Sequence, residues 1–276
     1  MFQKSYAKIN LFLDILFLRD DGFREIRTVF SEIDLYDELN FVLTKKSDIQ
    51  ILTEIDELRT KQNLIYQIAI FIQSRYNVTK GCSVTLKKNI PISAGLGGGS
   101  SNAATTILAL SELWNLSLSM DEMNEIASKF GSDINFFILG GSAIGTGRGE
   151  KIEEIDNIDV ENIVLINPGI YISSREAYQL VGNETRNPDR FQQFLSKKDI
   201  RYSFNRLEFK IRENYKKIDD IFYQVQNIGA KKAILSGSGS TVIAFCPNSS
   251  IANEISNYYS KKKYWNCITK TKRRTL

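Results

Sequence analysis

A glycine-rich stretch at residues 91–104 contains the residue types that bind phosphate through the protein backbone. Four of its residues lack a β-carbon, so the chain there can adopt positive φ angles and approach a ligand closely. These residues are Gly95, Gly97, Gly98 and Gly99. Ser100 and Ser101 follow at the expected start of an alanine- and leucine-rich helix. The first N–H groups of a helix have no partner within it and lie at its positive dipole end. The stretch therefore predicts a site for polyphosphate.

Two familiar phosphate-binding loops do not fit this stretch. A Walker loop needs a lysine directly before its final serine or threonine, where this chain has Gly99. A dinucleotide-binding loop needs the spacing G-x-G-x-x-G, which is absent here. A flexible glycine linker is the structural alternative. The strand-like residues 82–90 before the loop and the strong helix after it favour the binding loop over the linker.

The chain contains no histidine, which restricts the acid–base chemistry open to it. A general base must come from Asp, Glu, Lys, Tyr or Cys. Serine–histidine hydrolases, histidine-ligated zinc enzymes and phosphohistidine carriers are excluded. Asp133 is a single carboxylate that follows Gly131 and enters an apolar run. A helix N-cap is the structural alternative for this residue, a common one for an aspartate after glycine.

Length and composition indicate a globular protein. A chain of 276 residues with 42% hydrophobic content can bury a sizeable core. No apolar run approaches the length of a membrane span, and residues 1–10 carry charges where a signal peptide is apolar. The three cysteines are few, scattered and odd in number, so we expect neither a disulfide framework nor a cysteine-clustered metal site. These features predict a cytoplasmic protein with no membrane partner.

The net charge of +4 is mild, and much of the excess comes from residues 261–263 and 270–274. No stripe of basic residues with interleaved stacking aromatics is visible elsewhere. We therefore expect no nucleic-acid partner, and an anionic small-molecule substrate accounts for the charge equally well. The sequence leaves open whether the protein is a monomer or a homodimer.

Residues 91–104 resemble the phosphate-binding motif of the GHMP kinase superfamily, which reads roughly Pro-x-x-x-Gly-Leu-Gly-Gly/Ser-Ser-Ser-Ala. Three further segments resemble the family in the same order along the chain: 7–13, 131–137 and 233–245. The tripled glycine followed by Ser-Ser-Asn-Ala-Ala most resembles the branch that acts on a cytidylyl diphosphate sugar alcohol. That branch phosphorylates the 2-hydroxyl of its substrate in non-mevalonate isoprenoid precursor biosynthesis.

The resemblance implies an α+β fold with two subdomains, in which mixed or antiparallel sheets pack on helices. It implies an N-terminal ATP-binding domain over residues 1–160 and a C-terminal domain over residues 161–276. The predicted cofactors are ATP and Mg²⁺. Ser100 or Ser101 would contact the Mg²⁺ that accompanies ATP, and no separate metal site formed by the protein alone is predicted. The residues that the resemblance assigns to ATP are Pro91, Ala94, Gly95, Leu96, Gly97, Gly98, Gly99, Ser100 and Ser101, together with Asn63 near the adenine.

The resemblance also assigns two catalytic residues. Asp133 would take the proton from the substrate hydroxyl, and Lys8 would offset charge on the transferred phosphoryl group. Lys8 lies on a predicted strand over residues 5–18, where Asn10 points to the same side. A lysine in so apolar a strand is otherwise expected at a sheet edge.

Six residues are predicted to bind the substrate: Asn10, Phe23, Arg24, Tyr178, Ser238 and Gly239. Phe23 and Arg24 replace a tyrosine and a histidine that hold the cytidine in the family, and Asn135 replaces a proline after the aspartate. Arginine only donates hydrogen bonds, whereas histidine donates and accepts. A core position is the structural alternative for Tyr178. The alternative functions are another GHMP-type kinase, for homoserine, mevalonate or a sugar, and a catalytically idle nucleotide-binding paralogue.

Overall fold

The structure is a computed structural model that describes residues 1–181 and 188–274. It contains two compact units, each assembled from separate stretches of the chain. The first unit comprises Met1–Ala7, Leu35–Ile92 and Gly97–Gly140, and the second comprises Lys8–Asp34, Ser93–Leu96 and Gly141–Leu276. The predicted domain boundary after residue 160 stays a prediction.

Two long strands supply residues to both units. β1 spans Phe2–Leu18 and β2 spans Arg24–Thr44. The turn between them is closed by the Arg19 N–H, which donates to the Phe23 carbonyl at 2.8 Å, and Gly22 has a φ of 80°. β2 is one continuous strand along its whole length. No glycine or proline stands between residues 24 and 44 to interrupt it.

In the first unit, β2 pairs antiparallel with β4 (Gly81–Lys87), which pairs parallel with β3 (Ile49–Leu52). The helices of this unit are α1 (Leu64–Arg75), α2 (Gly98–Leu113), α3 (Met120–Phe130) and α4 (Ile134–Leu139). Asn63 caps α1 and a capping box of Ser119 and Glu122 begins α3. The helices α1 and α2 pack against each other.

The second unit contains two groups of strands. β5 (Ser142–Gly147) pairs antiparallel with β2 and forms a hairpin with β6 (Lys151–Glu154), while β8 (Phe204–Asn205) pairs parallel with β1. A separate antiparallel sheet has the order β11 (Trp265–Thr269), β7 (Ile163–Asn167), β10 (Val242–Phe245) and β9 (Lys232–Leu235). The mixture of parallel and antiparallel pairing agrees with the predicted α+β class.

Four helices of the second unit contribute residues to the core of this sheet. They are α5 (Ser174–Gln179), α7 (Glu208–Asn214), α8 (Lys216–Ile228) and α9 (Ser249–Lys261). The remaining helix, α6 (Pro188–Lys197), packs Phe191 and Phe194 against Phe12 of β1. The apolar spacing of an amphipathic helix runs through residues 205–228, but two helices form there because Tyr215 leaves the helical region with φ −126° and ψ 85°. Within the described ranges, no helix is long and apolar enough to cross a membrane.

The basic C-terminal segment is paired with acidic side chains of the second unit. Lys272 Nζ lies 3.6 Å from Glu32 Oε2, and Arg273 Nε donates to Asp159 at 3.0 Å. Arg274 pairs with Glu154. Backbone bonds reinforce the attachment, since the Lys272 N–H donates to the Glu32 carbonyl at 2.8 Å. These contacts give the positive charge a structural role in the fold.

Gly95 packs against the loop between β9 and β10 at a distance that only glycine permits. Its φ is 75°, in the left-handed region, and a β-carbon there would lie 2.1 Å from the Ser236 carbonyl oxygen and 2.9 Å from that of Gly239. The Ser236 hydroxyl donates to the Gly95 carbonyl at 3.0 Å. The backbone at Gly95 therefore lies against the backbone of the loop between β9 and β10, and the Ser236 side chain joins the two.

Gly95→Ala should lower the free energy of unfolding by more than about 2 kcal/mol, because the left-handed conformation alone costs roughly 1–2 kcal/mol for a residue with a β-carbon. Gly99→Ala is the matched control, since a β-carbon at position 99 meets no atom within 4 Å. Thermal and urea unfolding of both variants measure the difference. Equal stability of the two would contradict the close approach at Gly95.

Candidate functional site

The thiols of this chain are poor candidates for the general base. Burial raises the pKa of Cys82 to about 12 and that of Cys246 to about 11, and burial also raises the pKa of Cys267. A thiol with so high a pKa stays protonated near neutral pH. The choice of base therefore falls on the carboxylates, the lysines and the tyrosines.

The first part of the glycine-rich loop belongs to the second unit and is anchored to β1. Ala94 and Leu96 are buried, so their side chains fix the loop in the core. The Leu96 carbonyl accepts a hydrogen bond from the backbone N–H of Lys8 at 3.0 Å. With the contact at Gly95, these anchors leave little freedom in residues 93–96. Pro91, which precedes them, is half-buried in the first unit.

The second part of the loop belongs to the first unit and begins a helix. Gly97 is the N-terminal residue before α2, with a φ of 70°, and the helix starts at Gly98. The sequence placed this start at Ser100 and Ser101, which was two residues too late. Gly98, Gly99 and Ser100 therefore form the first turn, where N–H groups lack partners within the helix. Gly99 is exposed, so this turn has the chemistry and the access that an anion needs.

A buried carboxylate connects both ends of this helix-and-loop segment. Asp37 is 0% exposed, and its Oδ1 accepts the backbone N–H groups of Asn89 at 2.8 Å and Ile90 at 2.9 Å. Its Oδ2 accepts from Asn102 Nδ2 at 2.9 Å and from the ammonium of Lys88. Asn89 and Ile90 precede the loop, whereas Asn102 lies in α2. Asp37 therefore holds the chain before and after the loop in one place.

The same network extends along the buried side of α2. Asn102 Nδ2 also donates to Ser5 Oγ at 2.9 Å, and Ser5 Oγ shares a hydrogen bond of 2.7 Å with Ser101 Oγ. Lys88 Nζ contacts Asn102 Oδ1 at 3.2 Å. A β-carbon at Gly98 would lie 3.1 Å from Lys88 Nζ, which places that cation beside the first turn of α2. Ser101 is thus a buried structural residue, while Ser100 is half-exposed.

Lys8 and Asn10 lie side by side on β1, as the strand period predicted. Lys8 is only 4% exposed, so it is not at a solvent-exposed sheet edge. Its Nζ donates to Asn10 Oδ1 at 2.7 Å and lies 5.1 Å from the centroid of the Phe30 ring. Asn10 Nδ2 donates to Thr28 Oγ1 at 2.7 Å, and Thr28 donates to the Phe12 carbonyl.

The loop between β9 and β10 approaches these two residues within the second unit. A β-carbon at Gly237 would lie 3.3 Å from Asn10 Oδ1 and 3.6 Å from Lys8 Nζ. Ser238 Oγ lies 3.2 Å from Ser174 Oγ, and the Gly239 N–H donates to the Ser236 carbonyl at 2.8 Å. The structure therefore brings Lys8, Asn10 and the serine-glycine loop together.

The predicted nucleobase residues occupy the turn between β1 and β2. Phe23 is 53% exposed, and the guanidinium of Arg148 lies 4.8 Å from its ring centroid. Arg24 Nη2 donates to the Val181 carbonyl at 3.0 Å. A guanidinium carries five N–H donors, so this one bond does not exhaust Arg24. An exposed aromatic ring beside guanidinium groups is suited to stacking on a planar base.

Two predicted ligand-binding residues have evident structural contacts. Tyr178 packs partly buried against the core of the second unit, in agreement with its structural alternative. Asn63 caps α1, because its Oδ1 accepts the Ile65 N–H at 3.0 Å and its Nδ2 donates to the Leu58 carbonyl at 2.9 Å. A role for either side chain toward a ligand stays a prediction.

Asp133 is the residue before α4, in the first unit, and is partly exposed. Its side chain makes no capping hydrogen bond to α4. The structural alternative of an N-cap aspartate therefore does not account for this carboxylate.

Sequence reasoning missed the buried polar residues that support the loop. Asp37 lies in an ordinary alternating strand pattern, and Ser5 and Lys88 lie in strand-like segments with other polar residues. Asn102 stands inside the recognised motif, but its partners are 65 and 97 residues distant in sequence. Arg148, which lies between the hairpin strands β5 and β6, was also missed.

Comparison with known proteins gives two family matches. Residues 63–141 match the GHMP kinases N terminal domain, and residues 186–264 match the GHMP kinases C terminal family. A protein of Caldanaerobacter subterraneus named 4-diphosphocytidyl-2-C-methyl-D-erythritol kinase is 40% identical over 250 residues, which cover 87% of this chain and 85% of that protein. A Bacillus cereus protein of the same name is 37% identical over 92% of this chain and 91% of its own length.

A solved structure extends the comparison to the fold. The crystal structure of a 4-(cytidine 5'-diphospho)-2C-methyl-D-erythritol kinase matches with a TM-score of 0.85 and 25% identity, covering 98% of this chain and 99% of that one. This match confirms the predicted α+β GHMP kinase fold. Identity of 40% across most of both chains is far beyond what a shared fold alone requires, and this chain belongs to the GHMP kinase family.

Proposed function

We propose that this protein is an ATP-dependent kinase that phosphorylates the 2-hydroxyl of 4-diphosphocytidyl-2-C-methyl-D-erythritol, a step of non-mevalonate isoprenoid precursor biosynthesis. The observation that carries the proposal is the 40% identity to a kinase of that name over 87% of this chain. The glycine loop, the buried lysine on β1 and the exposed aromatic turn supply the chemistry that such a reaction needs.

The first turn of α2 fits the phosphates of ATP, the phosphate donor of GHMP kinases. Glycines at positions 98 and 99 leave the backbone N–H groups of this turn open to an anion, and Lys88 adds a positive charge beside Gly98. No cluster of three or more metal-ligating acids and thiols is present in residues 1–181 and 188–274. Mg²⁺ bound mainly through phosphate oxygens needs only one or two protein ligands. Since Ser101 is paired with Ser5, Ser100 is the better candidate ligand.

The protein's contribution to the reaction is positioning and charge. When bound, ATP supplies the transferred phosphoryl group and Mg²⁺ offsets its negative charge. We assign Asp133 as the base that takes the proton from the 2-hydroxyl. Lys8 stabilises negative charge on the phosphoryl group as it is transferred, and Asn10 orients Lys8 through their 2.7 Å hydrogen bond.

The cytidine end of the substrate is assigned to the turn between β1 and β2. Phe23 offers a ring for stacking, and Arg24 donates to the acceptors O2 and N3 of cytosine. Tyr178 stacks on the opposite face of the base. Ser238 and Gly239 bind the rest of the substrate. Ser238 contributes its hydroxyl, and Gly239, which lacks a β-carbon, lets the substrate approach the loop closely.

Another GHMP-type kinase, for homoserine, mevalonate or a sugar, is the alternative. Such a substrate has no base to stack on Phe23, so the alternative leaves this exposed ring unexplained. An idle nucleotide-binding paralogue is disfavoured because the chain retains both Lys8 and Asp133.

Asp133→Asn should lower kcat roughly a hundredfold to ten-thousandfold, the usual contribution of a general base, with little change in the KM for ATP. The assay measures ATP-dependent phosphorylation of 4-diphosphocytidyl-2-C-methyl-D-erythritol beside homoserine and mevalonate. Asp121→Asn is the matched control, since Asp121 is exposed in the first turn of α3. Turnover of homoserine or mevalonate in place of the cytidylyl substrate would overturn the proposed function.

Asp37→Asn should raise the KM for ATP about tenfold or more and leave the KM for the cytidylyl substrate unchanged. The new amide places a donor against Lys88 and Asn102, and a lost charge-assisted hydrogen bond is worth roughly 1.5–3 kcal/mol. Asp14→Asn is the matched control, because Asp14 is equally buried and pairs with Arg206 and a backbone N–H. If both variants change the KM for ATP alike, Asp37 has no particular role at the loop.

Arg24→Ala should raise the KM for the cytidylyl substrate about tenfold through the loss of a charged donor, without a change in the KM for ATP. Arg24→His, which introduces the residue of the family motif, should retain activity. Arg201→Ala removes an exposed arginine that pairs with Asp199 and serves as the control. An unaltered KM in Arg24→Ala would remove this residue from the base pocket.

A further inference from the structure

Asn135, at the start of α4, is a buried polar residue that the reaction described above does not use. It is 6% exposed. Its Nδ2 donates to the carbonyl of Asn124 at 3.1 Å and lies 3.2 Å from Asn124 Oδ1. Its Oδ1 lies 3.3 Å from Ser128 Oγ, whose hydroxyl also donates to the Asn124 carbonyl at 2.9 Å. The side chain thus ties the first turn of α4 to the second half of α3.

The helix that contains Asn135, α4, is too short to be stable without its neighbours. α4 has six residues, whereas isolated helices shorter than about 12–15 residues are marginal in water. Its orientation therefore depends on contacts with its neighbours. α3 is a firm neighbour, because its capping box fixes one end and Glu125 accepts two hydrogen bonds of 2.8 Å from Arg75 on α1.

Asp133 stands immediately before this helix, two residues from Asn135. The backbone of Asp133 leads directly into the first turn of α4. A rotation or shift of α4 moves Asp133 with it. We propose that Asn135 is a positioning residue for Asp133, and that its hydrogen bonds to α3 hold the carboxylate in the orientation needed to accept the substrate proton. This inference rests on the proposed function, in which Asp133 is the base.

The chemistry at position 135 explains how this chain departs from the motif that it resembles, which has proline there. A proline fixes φ near −65° through its ring, and the N–H that it lacks has no partner in the first turn of a helix. An asparagine has no such covalent restraint. In this chain, side-chain hydrogen bonds to α3 supply the restraint instead.

The test compares kcat, KM and thermal stability of Asn135→Ala with those of the unaltered protein, using ATP and 4-diphosphocytidyl-2-C-methyl-D-erythritol. We expect kcat to fall roughly tenfold to a hundredfold, since a misplacement of about 1 Å can cost a hundredfold in rate. Both KM values should stay within about threefold, because Asn135 binds neither substrate. Asn135→Pro should restore kcat to within a few-fold of the unaltered protein, by restraining the same turn covalently.

Asn266→Ala is a matched control in the other unit. Asn266 also accepts a hydrogen bond from a serine hydroxyl, that of Ser256, and donates to Ser260 and to the Tyr264 carbonyl. The Asn266→Ala variant should lose about as much thermal stability as Asn135→Ala does, and it should keep the kcat of the unaltered protein. Ser128 is exposed, and Ser128→Ala removes one contact with Asn135. This change should lower kcat roughly twofold to tenfold. The variant tests the role of Asn135 even if Asn135→Ala does not fold.

The outcomes separate this inference from the proposed function. Failure of the unaltered protein to phosphorylate the cytidylyl substrate removes the proposed function. Turnover by the unaltered protein with an unchanged kcat in Asn135→Ala and Ser128→Ala overturns the positioning role alone. A fall in kcat that Asn266→Ala matches, or that Asn135→Pro does not relieve, overturns it as well, because it then reflects stability only.

Discussion

The burial of a lysine in an apolar strand is the constraint on which much of the second unit depends. An ammonium group removed from water is costly unless other groups contact it, so residues near Lys8 must be polar or aromatic. Asn10 accepts its hydrogen bond, and the Phe30 ring lies 5.1 Å away. Asn10 in turn requires Thr28 as its acceptor. The adjoining loop must carry Gly237, because a larger residue would press on Asn10 Oδ1 at 3.3 Å. One buried charge thereby determines residue types on three separate elements.

In the first unit, a buried negative charge likewise determines the types of the residues around it. Asp37 accepts hydrogen bonds from two backbone N–H groups, an amide and an ammonium, which together compensate a carboxylate removed from water. This need explains why the buried face of α2 carries Asn102 and Ser101 among its alanines. Packing of small apolar side chains is non-directional, whereas hydrogen bonds fix distance and angle. The start of α2 is therefore placed by directed bonds, which suits the phosphate binding that we propose for its first turn.

The sequence predicted those features whose signals are local. The glycine loop and the polar side of β1 were both found from neighbouring residues, and the fold class followed from motifs in register. The features that were missed depend on partners distant in the chain. Nothing beside Asp37 shows that Asn89 and Asn102 will surround it, and the apolar period runs through Tyr215 although the helix does not. The division into two units is likewise not predictable from local sequence, because each unit is assembled from three separate stretches of the chain.

The location of Phe23 and Arg24, which depart from the family motif, has a further physical consequence for the proposed specificity. Phe23 and Arg24 lie at a partly exposed turn, where substitutions usually change stability little. Lys8, Asn10 and Asp37 are buried, and each has polar partners that would have to change with it. In the proposed function, a change of base recognition can therefore accumulate at the turn without disturbing the glycine loop. This separation is consistent with a chain that departs from the family motif at Phe23 and Arg24 while it keeps the glycine loop, and the proposed function makes the turn the part of the fold through which substrate preference can change.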